Sequence, residues 1–301
     1  MTAKKVLRNL FIGLPLILQS CHQESVKSEK DYSLLSAEKL SPPKKGIYIS
    51  GIAYDSALSR LYVGSFLDSK VYALAPLSGE VIDSITVTGT VEGLVAAPGG
   101  KAYSLGGMVI SQIHMPEVKF VTQTNIAWPP FIQIKGIAYS NNRIYAAADF
   151  PDQYRILSYD LTSPFPVPPY GYLEVSIDSK SDLINDLIVD RSNSNLYFIN
   201  QLGNIYKVNL KSREISFTVS TGTDTTTKIS LDATDNLYWV SSDKRSIVMY
   251  NQNTKNQKLL IGIPGSKFLD DLDIFYEGKT KKLYVWVASQ GSVCMMIYAV
   301  E

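Results

Sequence analysis

Histidine and cysteine are nearly missing from this sequence: two of each in 301 residues. Zinc sites built on Cys/His spacing therefore have no material, and a disulfide framework is excluded for the same reason. A Ser-His-Asp or Cys-His arrangement needs a placed histidine base. His22 stands in a polar N-terminal stretch, which leaves His114, at the end of an apolar run before Met115-Pro116, as the only candidate. Charge is also sparse, at 19% of residues with a net of +1, so no basic field advertises nucleic acid as a partner. No glycine-rich loop opens a helix to cradle phosphate, and no convincing amphipathic helix follows the first twenty residues. Beyond those twenty, no apolar run reaches the length of about 20 residues that a bilayer span requires. Cys294 lies within Val293-Cys294-Met295-Met296-Ile297, the setting of a small buried hydrophobe.

What the sequence does have is a repeat. An apolar strand, a polar turn and an aliphatic residue followed by tyrosine recur six times. The six copies run from Gly51-Ile52-Ala53-Tyr54-Asp55 to Leu61-Tyr62, from Gly93-Leu94-Val95 to Ala102-Tyr103, and from Gly136-Ile137-Ala138-Tyr139 to Ile144-Tyr145. They continue from Asp186-Leu187-Ile188-Val189-Asp190 to Leu196-Tyr197, from Ile229-Ser230-Leu231-Asp232 to Leu237-Tyr238, and from Leu272-Asp273-Ile274-Phe275 to Leu283-Tyr284. The tyrosines fall 41, 42, 52, 41 and 46 residues apart. The long interval holds Pro164-Phe165-Pro166-Val167-Pro168-Pro169, a stiff insertion suited to a loop. Each unit continues with a strand, usually holding a second tyrosine (Tyr72, Tyr159, Tyr206, Tyr250, Tyr298), and often a further β-rich run. Four short strands per unit of about 42 residues make the blade of a propeller, whereas solenoids of this period are usually helical.

The expected fold is therefore all-β: a six-bladed β-propeller of four-stranded antiparallel blades. The sixth unit ends after its third strand, so residues Tyr32 to Leu40 are expected to supply the fourth, closing the ring and hiding a sheet edge. The repeat resembles propellers of the NHL-repeat and senescence-marker/gluconolactonase type; it lacks the Gly-His and Trp-Asp marks of WD repeats. At the N-terminus, Lys4, Lys5 and Arg8 precede the apolar stretch Leu10 to Leu18, which has the length of a secretory signal core. It ends in Leu18-Gln19-Ser20-Cys21, which resembles the lipobox of bacterial lipoproteins. A chance cysteine after an ordinary cleaved signal is the alternative. The resemblance implies a signal peptide over 1–20, a lipidated Cys21, a tether over 21–31 and a propeller over 32–301. It also implies attachment to the bacterial cell envelope, at the outer membrane or the periplasmic face, through the lipid.

For chemistry the expectation rests on the propeller axis, where the first strand of each blade lines a central channel. The positions just ahead of each repeat's opening, by one residue or in the fifth copy by two, give Ser50, Glu92, Lys135, Asn185, Thr227 and Asp271, with Asp186, Asp270 and Asp273 near by. Oxygen ligands converging there suit Ca²⁺ or another divalent cation. In the gluconolactonase-like family a glutamate, an asparagine and an aspartate at blade starts hold such a metal, and Glu92, Asn185 and Asp271 are their partial counterparts. Two departures stand out: Glu92 opens the second blade rather than the first, and Lys135 brings a positive charge toward the same axis. Two functions follow. One is a non-catalytic binding or scaffold propeller that holds a protein, peptide or saccharide; the other is a metal-dependent lactonase or hydrolase of the gluconolactonase type.

Overall fold

A computed structural model of the chain describes residues 32–40, 48–106, 109–114, 119–125, 133–150, 153–162, 172–177, 183–222, 228–241, 246–260, 271–289 and 292–300. The segment that resembles a lipobox, the expected tether and the proline-rich insertion lie outside these residues. The described chain is all-β, in six four-stranded antiparallel sheets. The first blade runs β2 (Ile49–Asp55), β3 (Arg60–Ser65), β4 (Lys70–Leu74) and β5 (Val81–Thr86). The second runs β6 (Gly93–Ala97), β7 (Lys101–Gly106), β8 (Val109–His114) and β9 (Lys119–Asn125). The third is β10 (Gln133–Ser140) to β13 (Tyr172–Ile177), and the fourth β14 (Ile184–Val189) to β17 (Ile215–Ser220). The fifth is β18 (Ile229–Leu231) to β21 (Gln257–Leu260). The sixth takes three strands from the end of the chain, β22 (Asp271–Glu277), β23 (Lys282–Ser289) and β24 (Ser292–Val300), and its outermost strand from the beginning, β1 (Tyr32–Leu40).

The expected closure is thus present, and its register is defined. Tyr32 opposes Val300 and Leu40 opposes Val293, with one irregularity between Leu34 and Ser36. Joining the two ends of the chain within one sheet satisfies an edge that would otherwise stand open. It also makes the sixth blade, and with it the ring, depend on contacts of the longest possible sequence separation.

The repeated residues explain the blade. The repeat tyrosines Tyr62, Tyr103, Tyr145, Tyr197 and Tyr238 are all buried, and their rings fill the wedges between blades. Several hydroxyls cross to the following blade: Tyr145 donates to Asn193 Oδ1 at 3.3 Å, and Tyr197 to Gln252 Oε1 at 2.8 Å. Tyr103 stacks on Tyr139 of the third blade with ring centroids 5.9 Å apart. The aspartate that ends the inner strand has another duty. Asp55, Asp190 and Asp232 are buried, and each accepts N–H groups of the hairpin that follows it, as Asp190 does from Ser194 and Asn195. Such an Asx-type cap sets the turn. In the fourth and fifth blades it is completed by Asn193 and Asp235 at positive φ, a conformation that asparagine and aspartate tolerate better than most residues. Cys294 is buried, as its surroundings implied. No helix among the described residues is long and apolar enough to cross a membrane.

Candidate functional site

The inner strands do not present the residues that a simple count along the chain suggests. In the first blade Ile49 opposes Ser65 while Gly51 opposes Gly64, so Ser50 is an extra residue in a β-bulge. The same shift makes Lys135 extra in the third blade, between Ile134 and Gly136. It makes Asn185 extra in the fourth, between Ile184 and Asp186. In the second blade the Glu92 N–H reaches the Leu105 carbonyl although Leu105 already faces Gly93. A bulge re-aims the side chains around it. The equivalent positions around the ring are consequently Gly51, Gly93, Gly136, Asp186, Lys228 and Asp271, each directly before the repeat's first aliphatic residue.

This ring is divided in half. Three consecutive blades contribute glycine, and the next three contribute Asp186, Lys228 and Asp271. At Gly51 and Gly136 the glycine allows close approach of neighbouring inner strands. A Cβ at Gly51 would lie 3.0 Å from Leu94 Cβ and 3.1 Å from its nitrogen; one at Gly136 would lie 3.0 Å from Asp186 Cα. In the charged half the two aspartates at the same place bridge to the next blade. The Ile229 N–H donates to Asp186 Oδ2 at 3.1 Å, and the Ile52 N–H donates to Asp271 Oδ2 at 2.9 Å. Two residues further along, the Tyr54 N–H donates to Asp273 Oδ2 at 2.6 Å, and Ser230 Oγ donates to Asp273 Oδ1 at 3.3 Å. The sixth blade therefore holds the first through two carboxylates, reinforced by Trp286 Nε1–H donating to the Pro76 carbonyl at 3.0 Å.

Between these strands lies a cavity of about 310 Å³ on the axis. Asp186, Lys228, Ser230, Asp271 and Asp273 line one side of it, and Gly93, Leu94, Val95, Ile137 and Ala138 line the other. Lys228 Nζ is 3.5 Å from Asp186 Oδ1, with both side chains largely shielded from solvent. Burial opposes the Lys228 charge, but the Asp186 and Asp271 carboxylates outweigh it and raise its pKa. Burial raises Asp186 as well, against the pull of Lys228 and of backbone N–H groups. Burial likewise pushes Asp271 up to about 7, opposed by Lys228 and assisted by Asp186, and it lifts Asp273 to about 6. Near neutral pH the site can thus change its proton content, and it presents carboxyl oxygens beside an ammonium group.

Of the residues singled out from the sequence, Asp271 reaches this cavity, as do Asp186 and Asp273. Glu92, Lys135 and Asn185 are not among its lining residues; Glu92 accepts a hydrogen bond from Thr90 Oγ1 at 3.1 Å instead, and Ser50 donates to the Val91 carbonyl. Thr227 and Asp270 lie outside the described residues. Lys228 escaped the sequence reading, although its place immediately before Ile229 matched that of Asp271 before Leu272. For a divalent cation the donor set fits poorly. Among the described residues no three His, Cys, Asp or Glu side chains are grouped to hold a metal ion. The carboxylates already accept backbone N–H groups, and the Lys228 ammonium takes the position beside Asp186 where a cation would sit.

No family model and no curated protein matches this sequence. Solved structures do match it in shape. The chain is similar to the luciferin-regenerating enzyme at 11% identity and TM-score 0.63, over 88% of this chain and 96% of that one. It is similar to the WD40 β-propeller domain of Doa1 at 13% identity and TM-score 0.56, over 84% and 79%. It is also similar to the Cps50 (Swd1) β-propeller domain of Myceliophteria thermophila at 12% identity and TM-score 0.55, over 82% of each chain. At such identities the likeness establishes the propeller fold and nothing finer.

Proposed function

We propose that the protein is a lipid-anchored envelope propeller that binds a small polar ligand, or a short polar segment of a saccharide or peptide, in its axial cavity. The observation that carries this reading is the one-sided cluster Asp186, Lys228, Ser230, Asp271 and Asp273 in a cavity of about 310 Å³. A hydroxyl group can donate to Asp271 or Asp273 while another group accepts from Lys228, and the apolar wall opposite suits a carbon skeleton. The near absence of histidine and the hydrogen bonds that already occupy the carboxylates support binding rather than catalysis. Lipid on Cys21 is supported by the Leu18-Gln19-Ser20-Cys21 segment, and a doubly or triply acylated cysteine holds a soluble domain firmly to a membrane.

A second reading, kinship with the senescence-marker/gluconolactonase or NHL-repeat propellers and a metal-dependent lactonase activity, has one observation in its favour and the poor cation donor set against it. Asp271, near pKa 7 in a cavity, has the proton affinity useful to a general acid or base at neutral pH. Calorimetry with Ca²⁺, Mn²⁺ and Zn²⁺ on the full chain separates the two. Binding heat that disappears in Asp271→Asn supports the lactonase; no heat with any of the three ions leaves the binding propeller.

A further inference from the structure

The closing strand fixes where a leash from the membrane meets the ring. Tyr32, its first residue, pairs with Val300 and lies at the same end of the sixth blade as the Glu277–Lys282 hairpin; its last residue, Leu40, pairs with Val293 at the end where Asp271 opposes Ala288. Chain coming from the N-terminus therefore joins the propeller on the face that carries the hairpins following every inner strand. From Cys21 to Tyr32 there are eleven residue steps, which fully extended cover at most about 40 Å. To bring the opposite face to the lipid, the leash would have to run back along the nine-residue closing strand, about 30 Å at the rise of a β-strand. Most of its reach would be spent on that climb.

The turns nearest this point are basic. In the fourth, fifth and sixth blades Lys211, Arg213, Lys255, Lys279 and Lys281 are exposed on this face, and Glu214 is the one exposed acid in the same turns among the described residues. Asp190 and Asp232, the other acids there, are buried as turn caps, while Asp235 and Glu277 are half-buried. Tyr32 is tied into the same sector: its hydroxyl bonds to that of Tyr238, and Lys258 Nζ lies 5.3 Å from the centroid of its ring. We propose that this rim of blades four to six is a membrane-docking surface, seated on anionic lipid headgroups by its lysines and arginines once the lipid on Cys21 has brought it there. The inference rests on the lipoprotein reading. It adds an orientation that a lipid anchor by itself does not impose, because basic side chains near an anionic surface are held within a Debye length of it.

The test uses the full chain, purified with its lipid and inserted into vesicles of equal parts phosphatidylglycerol and phosphatidylcholine that contain a headgroup nitroxide quencher. A fluorophore is attached at Thr280→Cys on the basic rim or at Leu202→Cys, whose turn lies at the other end of the fourth blade. Docking predicts quenching several-fold stronger at position 280 than at 202. The difference should shrink in 1 M salt, where the Debye length falls to about 3 Å, and in Lys211→Glu/Arg213→Glu/Lys279→Glu/Lys281→Glu. Exposed positions leave folding intact, which an unchanged melting temperature of that variant verifies. Equal quenching at both positions, or stronger quenching at 202, in a protein whose mass shows an acylated Cys21 overturns the orientation and leaves the anchor standing. A mass without acyl groups overturns both.

Discussion

The seam between the sixth and first blades should make the fold sensitive to pH in a direction opposite to that of most salt-bridged proteins. Asp271 and Asp273 clamp the seam by accepting the Ile52 and Tyr54 N–H groups, yet burial raises Asp271 from 3.8 to about 7 and Asp273 to about 6. An acid with a raised pKa in the folded state holds a proton there that the unfolded chain has released. Between pH 4 and pH 7 the native protein thus binds more protons than the unfolded one, and stability falls as pH rises. For Asp271 alone the span from 3.8 to about 7 is worth up to about 4 kcal/mol, at about 1.4 kcal/mol per pH unit. In a chain of this size 1 kcal/mol corresponds to about 2–4 °C of melting temperature, so the effect is readable in a simple melt. Asp271→Asn removes the titration. It also turns an amide NH₂ toward one of the two N–H groups that the carboxylate accepted, those of Ile52 and Leu272, costing about 1–3 kcal/mol at every pH. Thermal melts of parent and variant from pH 4.5 to pH 8 therefore should not run parallel. The parent should lose stability toward pH 8, the variant should be flatter, and the gap between them should narrow or invert at the alkaline end. Parallel profiles would mean that Asp271 ionises normally in the fold and that the buried cluster is wetter than its geometry implies.

Four further outcomes follow from the same architecture. Deleting Tyr32 to Leu40 should lower the melting temperature sharply and promote association, because it bares the edge of Ser292–Val300; an unchanged melt would mean that the ring closes without that strand. Gly51→Ala and Gly136→Ala should each cost about 1–3 kcal/mol by driving a methyl into the next blade, whereas Gly93→Ala, whose nearest contact would be 3.7 Å, should cost less; equal costs in chemical denaturation would remove the close-approach argument. Lys228→Met should destabilise by about 3–5 kcal/mol, since it strands Asp186 in a buried site, and Asp186→Leu added to it should recover part of that loss. Finally, Cys21→Ser should leave the protein unprocessed or release it from membranes in a fractionation experiment; a processed variant that still sediments with membranes would require another attachment.

The fold was legible in the sequence because its signals are local and repeated six times. The apolar strand, the polar turn, the aliphatic residue followed by tyrosine and the missing last strand of the sixth unit were enough to set blade number and closure. The axial site was less legible, first because of β-bulges and, in the fifth blade, because of misalignment. Counting to the residue before each repeat phrase lands on Ser50, Glu92, Lys135 and Asn185, and bulges at those points shift the lining by one. A one-residue shift in a strand exchanges its two faces, so the glutamate, lysine and asparagine that were expected on the axis give way to Gly93, Gly136 and Asp186. The aliphatic residues Ile52, Leu94, Ile137, Leu187, Ile229 and Leu272 mark the correct register. Alignment on them would have brought Lys228 into the ring and with it the charge that opposes a cation. The short strand Ile229–Leu231 made that blade the hardest to align, since only three residues carry its pattern.

Ligand retention by the axial cluster is the central claim, and native mass spectrometry of the protein purified gently from its own cells tests it most directly. The account predicts a small polar molecule that adds mass to the parent chain and is lost from Lys228→Met/Asp186→Leu, the pair in which part of the lost stability is recovered, while circular dichroism shows that variant folded. A parent mass equal to that of the chain without a bound ligand in every charge state, or an adduct that the double variant retains undiminished, would contradict it.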